Sequence, residues 1–260
     1  MKRVVTALIL IPFIAWVTLA SPLPVFLAVL AITGLLAYHE FDQIAAENGI
    51  ARAGWPGMAA GLFLLLSPDP LAVAVVIAML GMALALRVNN LKAALPAASA
   101  FVLGIVYIFG AWRCAANLRA INPHWLLFAM LLSWAGDTAA LYIGRPFGKH
   151  KMAPVVSPAK SWEGAAGSVA GGMLVGGIYA HYLIPQVSLS EALALAAVGN
   201  IAGQLGDLCE SALKRGAGVK DSGTLLPGHG GWLDRLDSSL FSVPAVYALL
   251  EVFTRLSGSV

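Results

Sequence analysis

The charged and glycine-rich residues of this chain are concentrated in one stretch, residues 211–237, which reads SALKRGAGVKDSGTLLPGHGGWLDRLD. Its candidate side chains and glycines are Ser211, Lys214, Arg215, Lys220, Asp221, His229, Gly230, Gly231, Asp234, Arg235 and Asp237. Paired carboxylates hold hard cations such as Mg²⁺, while Lys, Arg and exposed backbone N–H groups bind phosphate oxygens. Only 11% of the whole chain is charged. The stretch is therefore either a long solvated loop or a site for phosphoryl or nucleotidyl transfer.

A second polar cluster lies further toward the N-terminus. Asp137 sits within an apolar run, and the basic loop that follows contains Arg145, Lys149, His150, Lys151 and Lys160. Ser157 or Ser161 could cap the next helix, and Lys160 could reach an anionic ligand. The simpler alternative is that the basic loop only anchors the chain to anionic lipid head groups.

Polar residues also recur at steps of three and four before residue 211, which places them on one face of a helix. They are Asn200, Gly203, Gln204, Asp207, Glu210, Ser211 and Lys214. An unpaired charge near the bilayer centre costs about 3 kcal/mol, so this face is not expected to meet lipid. It either forms a hydrogen-bonded seam between helices or lines a polar cavity continuous with residues 211–237.

The elements that carry these residues are predicted to be transmembrane helices. Hydrophobic residues make up 59% of the chain and the mean hydropathy is +0.82, far from a typical soluble domain. Spanning the ~30 Å hydrocarbon layer takes about 20 apolar residues. We therefore predict an all-α polytopic membrane protein with about nine spans, or eight if the third run is too short to cross. The predicted spans are residues 4–20, 24–38, 57–66, 71–86, 95–112, 124–143, 164–184, 187–213 and 240–256.

The N-terminal half leaves two alternatives open. The first run resembles a signal peptide because basic residues precede it and small residues follow it. The second run follows so closely that we favour a retained helical hairpin. The polar residues 39–56 are predicted as a solvated connection rather than a short interfacial helix. Cys114 and Cys209 lie in apolar or helical stretches, so no disulfide is predicted.

The distribution of basic residues predicts the topology. With a cytoplasmic N-terminus and nine spans, thirteen of the sixteen Lys and Arg residues fall on the cytoplasmic side and three on the other. Cytoplasmic loops carry the excess of Lys and Arg in membrane proteins. Residues 211–237 are therefore expected to face the cytoplasm, where nucleotides and Mg²⁺ are available.

Residues 211–237 resemble the signature of the phosphatidate cytidylyltransferases, also called CDP-diacylglycerol synthases. In that signature, Ser-x-aliphatic-Lys-Arg precedes Lys-Asp, then Pro-x-His-Gly-Gly, and finally Asp-Arg-aliphatic-Asp. Its fixed positions are filled by Ser211, Lys214, Arg215, Lys220, Asp221, Pro227, His229, Gly230, Gly231, Asp234, Arg235 and Asp237. Trp232 departs from it, because the family usually has an aliphatic residue there. The likeness covers roughly the C-terminal half, from Asp137 onward.

The resemblance implies that CTP and phosphatidate react to give CDP-diacylglycerol and pyrophosphate, with Mg²⁺, at the inner (cytoplasmic) membrane. It implies Asp207 and Asp234 as the best metal ligands, with Asp137 and Asp237 as further ones. A phosphate monoester has a second pKa near 6, so phosphatidate is largely dianionic and can attack without a general base. His229 is therefore given a structural or phosphate-contacting role.

Further roles also follow from the resemblance. The implied catalytic residues are Asp207, Lys220, Asp221, Asp234 and Arg235. The implied substrate-binding residues are Ser157, Lys160, Ser161, Ser211, Lys214, Arg215, His229, Gly230 and Gly231. Asp221 and Asp237 could instead orient Lys220 and Arg235 through ion pairs. We expect a groove between spans six, seven and eight that opens to lipid near their cytoplasmic ends.

The expected partners are CTP, phosphatidate and membrane lipids, with no nucleic acid. A monovalent cation as an additional cofactor stays open. Glycines four residues apart in the seventh span allow close helix packing or a homodimer contact. We divide the chain into an N-terminal scaffold, residues 1–122, and a C-terminal catalytic region, residues 123–260. The alternative functions are a CTP-dependent kinase for a polyprenol or phytol and, third, a transporter.

Overall fold

A computed structural model describes residues 2–225 and 230–256, with side chains from residue 10 onward. The helices of the first half are α1 (Lys2–Leu19), α2 (Leu23–Glu47), α3 (Trp55–Leu66), α4 (Pro70–Ala85), α5 (Ala94–Ile105) and α6 (Ala111–Ile121). Those of the second half are α7 (Pro123–Phe147), α8 (Trp162–Leu183), α9 (Leu189–Gly216) and α10 (Ser239–Leu256). Two short strands, β1 (Lys151–Ala153) and β2 (Ser157–Ser161), connect α7 to α8.

Within the described residues these helices form nine continuous rods, because a π-helical segment, Val106–Gly110, joins α5 to α6. Each rod coincides with one of the nine predicted spans. Five are long and apolar enough to cross a membrane, Leu23–Glu47, Leu91–Ile121, Pro123–Phe147, Leu189–Gly216 and Ser239–Leu256. The segment Leu10–Leu19 of α1 and the two shorter helices α3 and α4 are also apolar. The predicted all-α fold is confirmed, and the protein is a multi-pass membrane protein.

The helix starts follow from local sequence. Asp69 accepts a hydrogen bond from the backbone N–H of Ala72, and Pro70 occupies the first turn of α4. Ser188 and Glu191 form a reciprocal capping box at the start of α9. Such caps satisfy N–H groups that have no partner within the helix, so they fix where the chain turns between spans.

Two predicted connections are wrong. Residues 39–47 continue α2 instead of forming a solvated connection, and the helix ends only at Glu47. The loop predicted after residue 112 is also helical, since α6 runs to Ile121. In both segments some of the polar residues, such as Glu40, Asp42 and Arg119, bond inside the protein. Arg119, for example, donates to the carbonyl oxygens of Thr18 and Ser21.

Close packing of α7, α8 and α9 forms the frame of the C-terminal half. A Cβ built on Gly167 would lie 2.6 Å from Ile143, and one on Gly172 would lie 2.9 Å from Asn200. A Cβ on Gly136 of α7 would overlap the Asn200 amide. The glycines therefore let these helix backbones approach one another, as predicted for a scaffold role.

The loop between α7 and α8 folds into an antiparallel hairpin. β1 pairs with β2 so that Lys151 faces Ser161 and Ala153 faces Ser157. The Ser161 side chain accepts a hydrogen bond from the backbone N–H of Gly164 and caps α8, as predicted. Ser157 caps no helix, because it begins β2. The hairpin fixes the direction in which Lys160 leaves the backbone.

Cys114 and Cys209 are both free thiols, as predicted.

Candidate active site

The polar residues between Asn200 and Lys214 form a stripe along one face of α9. The first part of this polar stripe is a hydrogen-bonded seam. The Asn200 amide donates to the Leu132 carbonyl at 3.0 Å. Gln204 donates to Asn200 Oδ1 at 2.8 Å and to the Ala165 carbonyl at 3.3 Å. These bonds tie α9 to α7 and α8, so the alternative of an internal seam holds for this end of the stripe.

The second part of the stripe opens into a charged site. Lys160 Nζ, which comes from β2, lies 2.8 Å from Asp207 Oδ2, and both side chains remain partly exposed. Ser211 donates to Asp207 Oδ1 at 3.3 Å. The hairpin and α9 therefore form opposite sides of one site. Both parts of this pair are accessible to a ligand, since neither is sealed in the core.

Three carboxylates, Asp137, Asp207 and Asp237, lie close enough in the open site to influence one another's ionisation. Burial, and after it the charge on Asp207, raise the pKa of the Asp237 carboxyl to about 7, and the charge on Asp137 adds to this effect. The backbone N–H of Ser238 donates to Asp237 Oδ1 at 2.7 Å, which works in the opposite direction. Burial is thus the main cause of the raised pKa of Asp237, and repulsion from the neighbouring carboxylates adds to it.

Lys214 and Asp234 belong to a separate, buried ion network. Lys214 Nζ contacts Glu210 on α9 and Asp234 across the loop, and the three side chains are at most 9% exposed. Asp234 Oδ2 also accepts from the N–H groups of Ser222 and Gly231, at 2.9 and 2.7 Å. Burial opposes ionisation of Asp234, but these donors hold its pKa below the usual range.

The two predicted metal ligands therefore have different surroundings. The Asp207 side chain, which contacts Lys160 and Ser211, is 32% exposed, whereas the Asp234 side chain is 8% exposed and is enclosed by Lys214 and loop N–H groups. The geometry favours a structural role for Asp234 and leaves Asp207 available to a ligand. Metal binding by either residue stays a prediction.

The remaining cations of the stretch are exposed. Arg215 donates to the Val219 carbonyl at 2.9 Å, and Lys220 and Arg235 reach the surface. In the described part of the chain, neither Asp221 with Lys220 nor Asp237 with Arg235 forms an ion pair. The suggested orienting pairs are thus absent there.

One glycine at the end of the loop, Gly230, adopts a conformation that few other residues can take. Gly230 has a φ of +77°, and a Cβ on it would lie 2.7 Å from Asp234 Oδ2. Gly231 lies directly against the same carboxylate, to which its N–H donates. His229, predicted as a phosphate-contacting or turn residue, lies outside the described residues.

One functional candidate is absent from the sequence predictions. Glu40 of α2 is 1% exposed and accepts hydrogen bonds from Ser222, Trp232 and Leu233. The only available sequence signal is a carboxylate at the end of an apolar run, where burial of a charge needs partners. Those partners are mostly backbone N–H groups, which no sequence pattern marks.

The donor set of the open site fits Mg²⁺. Among residues 2–225 and 230–256, no three His, Cys, Asp or Glu side chains surround a point that could hold a metal ion. Mg²⁺ is usually bound by one or two carboxylates, by water and by substrate phosphates, so a complete protein cage is not needed. Asp207, with Asp137 and Asp237 near enough to affect one another's charge, provides oxygen ligands of this kind.

Sequence comparison supplies the family. The model of the cytidylyltransferase family matches residues 1–253. The chain belongs to this family. The match also covers the N-terminal spans, for which the motifs of residues 211–237 gave no information. The resemblance predicted from Asp137 onward is therefore confirmed, and the family match extends beyond it to the N-terminal half.

Curated members of the cytidylyltransferase family are similar along most of their length. A phosphatidate cytidylyltransferase of Staphylococcus saprophyticus is 34% identical over 226 residues, 83% of this chain and 87% of the relative. One from Staphylococcus aureus is 31% identical over 234 residues, 86% and 90% of the two chains. One from Staphylococcus haemolyticus is 39% identical over 149 residues, 57% of each chain.

Proposed function

We propose that this protein transfers the cytidylyl group of CTP to phosphatidate, giving CDP-diacylglycerol and pyrophosphate. Membership of the cytidylyltransferase family and the names of its curated relatives support this reaction. The observation that carries the proposal is the Lys160–Asp207 pair, which joins a cation and a carboxylate 2.8 Å apart in a partly exposed site. An arrangement of this kind can bind a phosphate group and a divalent cation together.

The chemistry needs little proton transfer. A phosphatidate oxygen attacks the α-phosphorus of CTP, and the bond from this phosphorus to the oxygen bridging to the β-phosphate breaks. Pyrophosphate leaves with that oxygen. Because phosphatidate is largely dianionic near neutral pH, the attacking oxygen carries its own charge. The protein's task is to position the two phosphates and to compensate charge.

Asp207, together with either Asp137 or Asp237, would hold Mg²⁺ along with water and substrate phosphates. When bound, this ion neutralises charge that develops on the phosphate oxygens. Lys160 of the hairpin pairs with Asp207 of α9 and is partly exposed, so it can contact a phosphate without leaving the site. This arrangement explains why a cation and several carboxylates share one end of the helices.

The basic residues divide into two groups. Lys214 is buried between Glu210 and Asp234, so we assign it to holding the loop rather than to binding CTP directly. Arg215, Lys220 and Arg235 are exposed and are the better candidates for the triphosphate and the departing pyrophosphate. This division of the basic residues into two groups rests on their burial alone.

Phosphatidate would reach the site from the bilayer. Apolar side chains remain exposed where α7, the hairpin and α8 meet, with Tyr142 75%, Phe147 64% and Trp162 59% exposed. Acyl chains can lie against such a surface while the phosphate enters the polar site. We place this end of the protein at the cytoplasmic face of the inner membrane, which agrees with the excess of basic residues there.

The test is an assay in detergent with labelled CTP and phosphatidate, which follows pyrophosphate with Mg²⁺ and with EDTA. We expect Mg²⁺-dependent pyrophosphate and a CDP-lipid product. Replacing Na⁺ by K⁺ in the buffer tests for a monovalent cofactor. Release of CDP and a phosphorylated lipid alcohol would instead identify a lipid kinase. Absence of any nucleotide-dependent lipid product would reject the proposal.

A further inference from the structure

Glu40 is a buried acid with no basic partner in the part of the chain described. Its residue is 1% exposed, and no Lys, Arg or His among the described residues forms an ion pair with it. Burying a carboxylate is costly unless hydrogen bonds replace the lost water. The surroundings of Glu40 must therefore be built to receive it.

Three donors from the glycine-rich stretch meet this carboxylate. The backbone N–H of Trp232 donates to Oε1 at 2.8 Å. The N–H of Leu233 and the hydroxyl of Ser222 donate to Oε2 at 2.8 and 2.6 Å. The donors come from both ends of the loop between residues 222 and 232. Glu40 thus fastens the two ends to each other and to α2.

The same loop ends hold Asp234. The Ser222 N–H donates to Asp234 Oδ2 at 2.9 Å, and the Asp234 N–H donates to the Ser222 hydroxyl oxygen at 3.2 Å. Asp234 in turn pairs with Lys214. A continuous set of contacts therefore runs from Glu40 through Ser222 and Asp234 to the end of α9.

The glycines of the loop make room for the carboxylate. A Cβ built on Gly223 would lie 2.5 Å from Glu40 Oε1, and one built on Gly231 would overlap Glu40 Oε2 and the Ser222 hydroxyl. The loop backbone can approach Glu40 this closely only without side chains at these positions. The carboxylate and the two glycines therefore fit as one unit.

We propose that Glu40 is a positioning residue for cytidylyl transfer. Its carboxylate holds residues 222 and 231–233 in the arrangement that keeps Asp234 against Lys214 at the end of α9. This inference rests on the proposed function, and it adds a residue from the N-terminal half to the machinery of the C-terminal half. Two backbone N–H groups and one hydroxyl donate to this side chain. A carboxylate is needed there because both of its oxygens accept hydrogen bonds.

Glu40→Gln tests the proposal with the smallest change of shape. The amide NH₂ must face either the Leu233 or the Trp232 N–H, so one backbone donor loses its acceptor. We expect kcat to fall about 10- to 100-fold, as small misplacements in active sites do, with KM for phosphatidate unchanged. Glu47→Gln is the matched control, because Glu47 lies on the same helix and is exposed. It should keep the wild-type kcat; an unchanged kcat in Glu40→Gln overturns the proposal.

A double-variant cycle separates positioning from general destabilisation. If Glu40 acts through Asp234, Glu40→Gln combined with Asp234→Asn should lose no more activity than the more damaged single variant. Independent effects would multiply, and that result would overturn the proposal. Ser222→Ala provides a milder variant should Glu40→Gln fold poorly. It should lower kcat in the same direction while the chain remains folded, and a wild-type kcat there also counts against the proposal.

Hydrogen exchange provides a readout that does not depend on the reaction. In purified protein in detergent, Glu40→Gln should speed amide exchange in peptides covering residues 222 and 231–233, while α7 stays as protected as in the wild type. Failure of the wild type to transfer cytidylyl groups would remove the proposed function but not this local effect. Unchanged exchange at these amides would remove the role of Glu40 itself.

Discussion

Replacing Lys214 by Met should destabilise the protein far more than replacing an exposed lysine would. Lys214 Nζ contacts Glu210 and Asp234, and the Lys214, Glu210 and Asp234 side chains are 9%, 0% and 8% exposed. Met fills similar volume but leaves two buried carboxylates facing each other without a cation. Removing one partner of a buried ion pair costs about 3–5 kcal/mol.

The loss of stability in Lys214→Met can be measured by thermal unfolding in detergent at pH 7.5. At about 2–4 °C per kcal/mol for a chain of this size, Lys214→Met should lower Tm by about 10 °C. Lys220→Met is the matched control, since Lys220 is exposed and has no hydrogen bond or ion pair within the described residues. It should change stability by no more than about 0.5 kcal/mol.

A second substitution tests the cause. Adding Glu210→Gln to Lys214→Met replaces one of the two buried carboxyl groups by a neutral amide, so it should restore about 1–3 kcal/mol. A loss in Lys214→Met no larger than in Lys220→Met would refute the reasoning, because the network would then be solvated. A further loss on adding Glu210→Gln would refute it as well.

Three further outcomes are expected. Lys160→Met should lower turnover about 10- to 100-fold. It should lower the free energy of unfolding by less than about 1 kcal/mol, since the pair of Lys160 with Asp207 is partly exposed; a loss of turnover that is matched by a loss of stability would contradict a substrate-binding role. Gly136→Ala should cost about 1–3 kcal/mol in unfolding measurements, because its Cβ overlaps the Asn200 amide; wild-type stability would show that α7 and α9 can separate. The raised pKa of Asp237, about 7, favours its protonated form in the fold. In EDTA, stability should therefore fall as pH rises from about 4 to 7, and Asp237→Asn should abolish that loss; an identical pH profile in both proteins would contradict it.

The helices were predictable because each is encoded locally. Long apolar runs bounded by proline, glycine or charge mark the nine rods, and caps such as Ser188 with Glu191 are readable from spacing. The predictions for residues 39–47 and for α6 failed because polar residues were assumed to need solvent. Their partners inside the protein, such as those of Glu40 and Arg119, come from distant parts of the chain.

The candidate site was predictable in its residue types but not in its pairings. The spacing on α9 placed Asp207 and Lys214 on one face, and the structure brings Lys160 to Asp207. Nothing in the spacing shows that Asp234 lies against Lys214 and two loop N–H groups. Which carboxylate is exposed to a ligand and which is buried depends on loop geometry. The hydrogen bonds to Glu40 join residues that lie 182 to 193 positions apart in the sequence.

The proposed reaction is tested most directly by following the position of the label. Purified protein is incubated with phosphatidate, Mg²⁺ and CTP labelled at either the α- or the γ-phosphate, and the lipid fraction is extracted. Cytidylyl transfer predicts α-label in the lipid and γ-label only in pyrophosphate, with both signals lost in EDTA and in Asp207→Asn. Transfer of γ-label to lipid would contradict the proposed reaction.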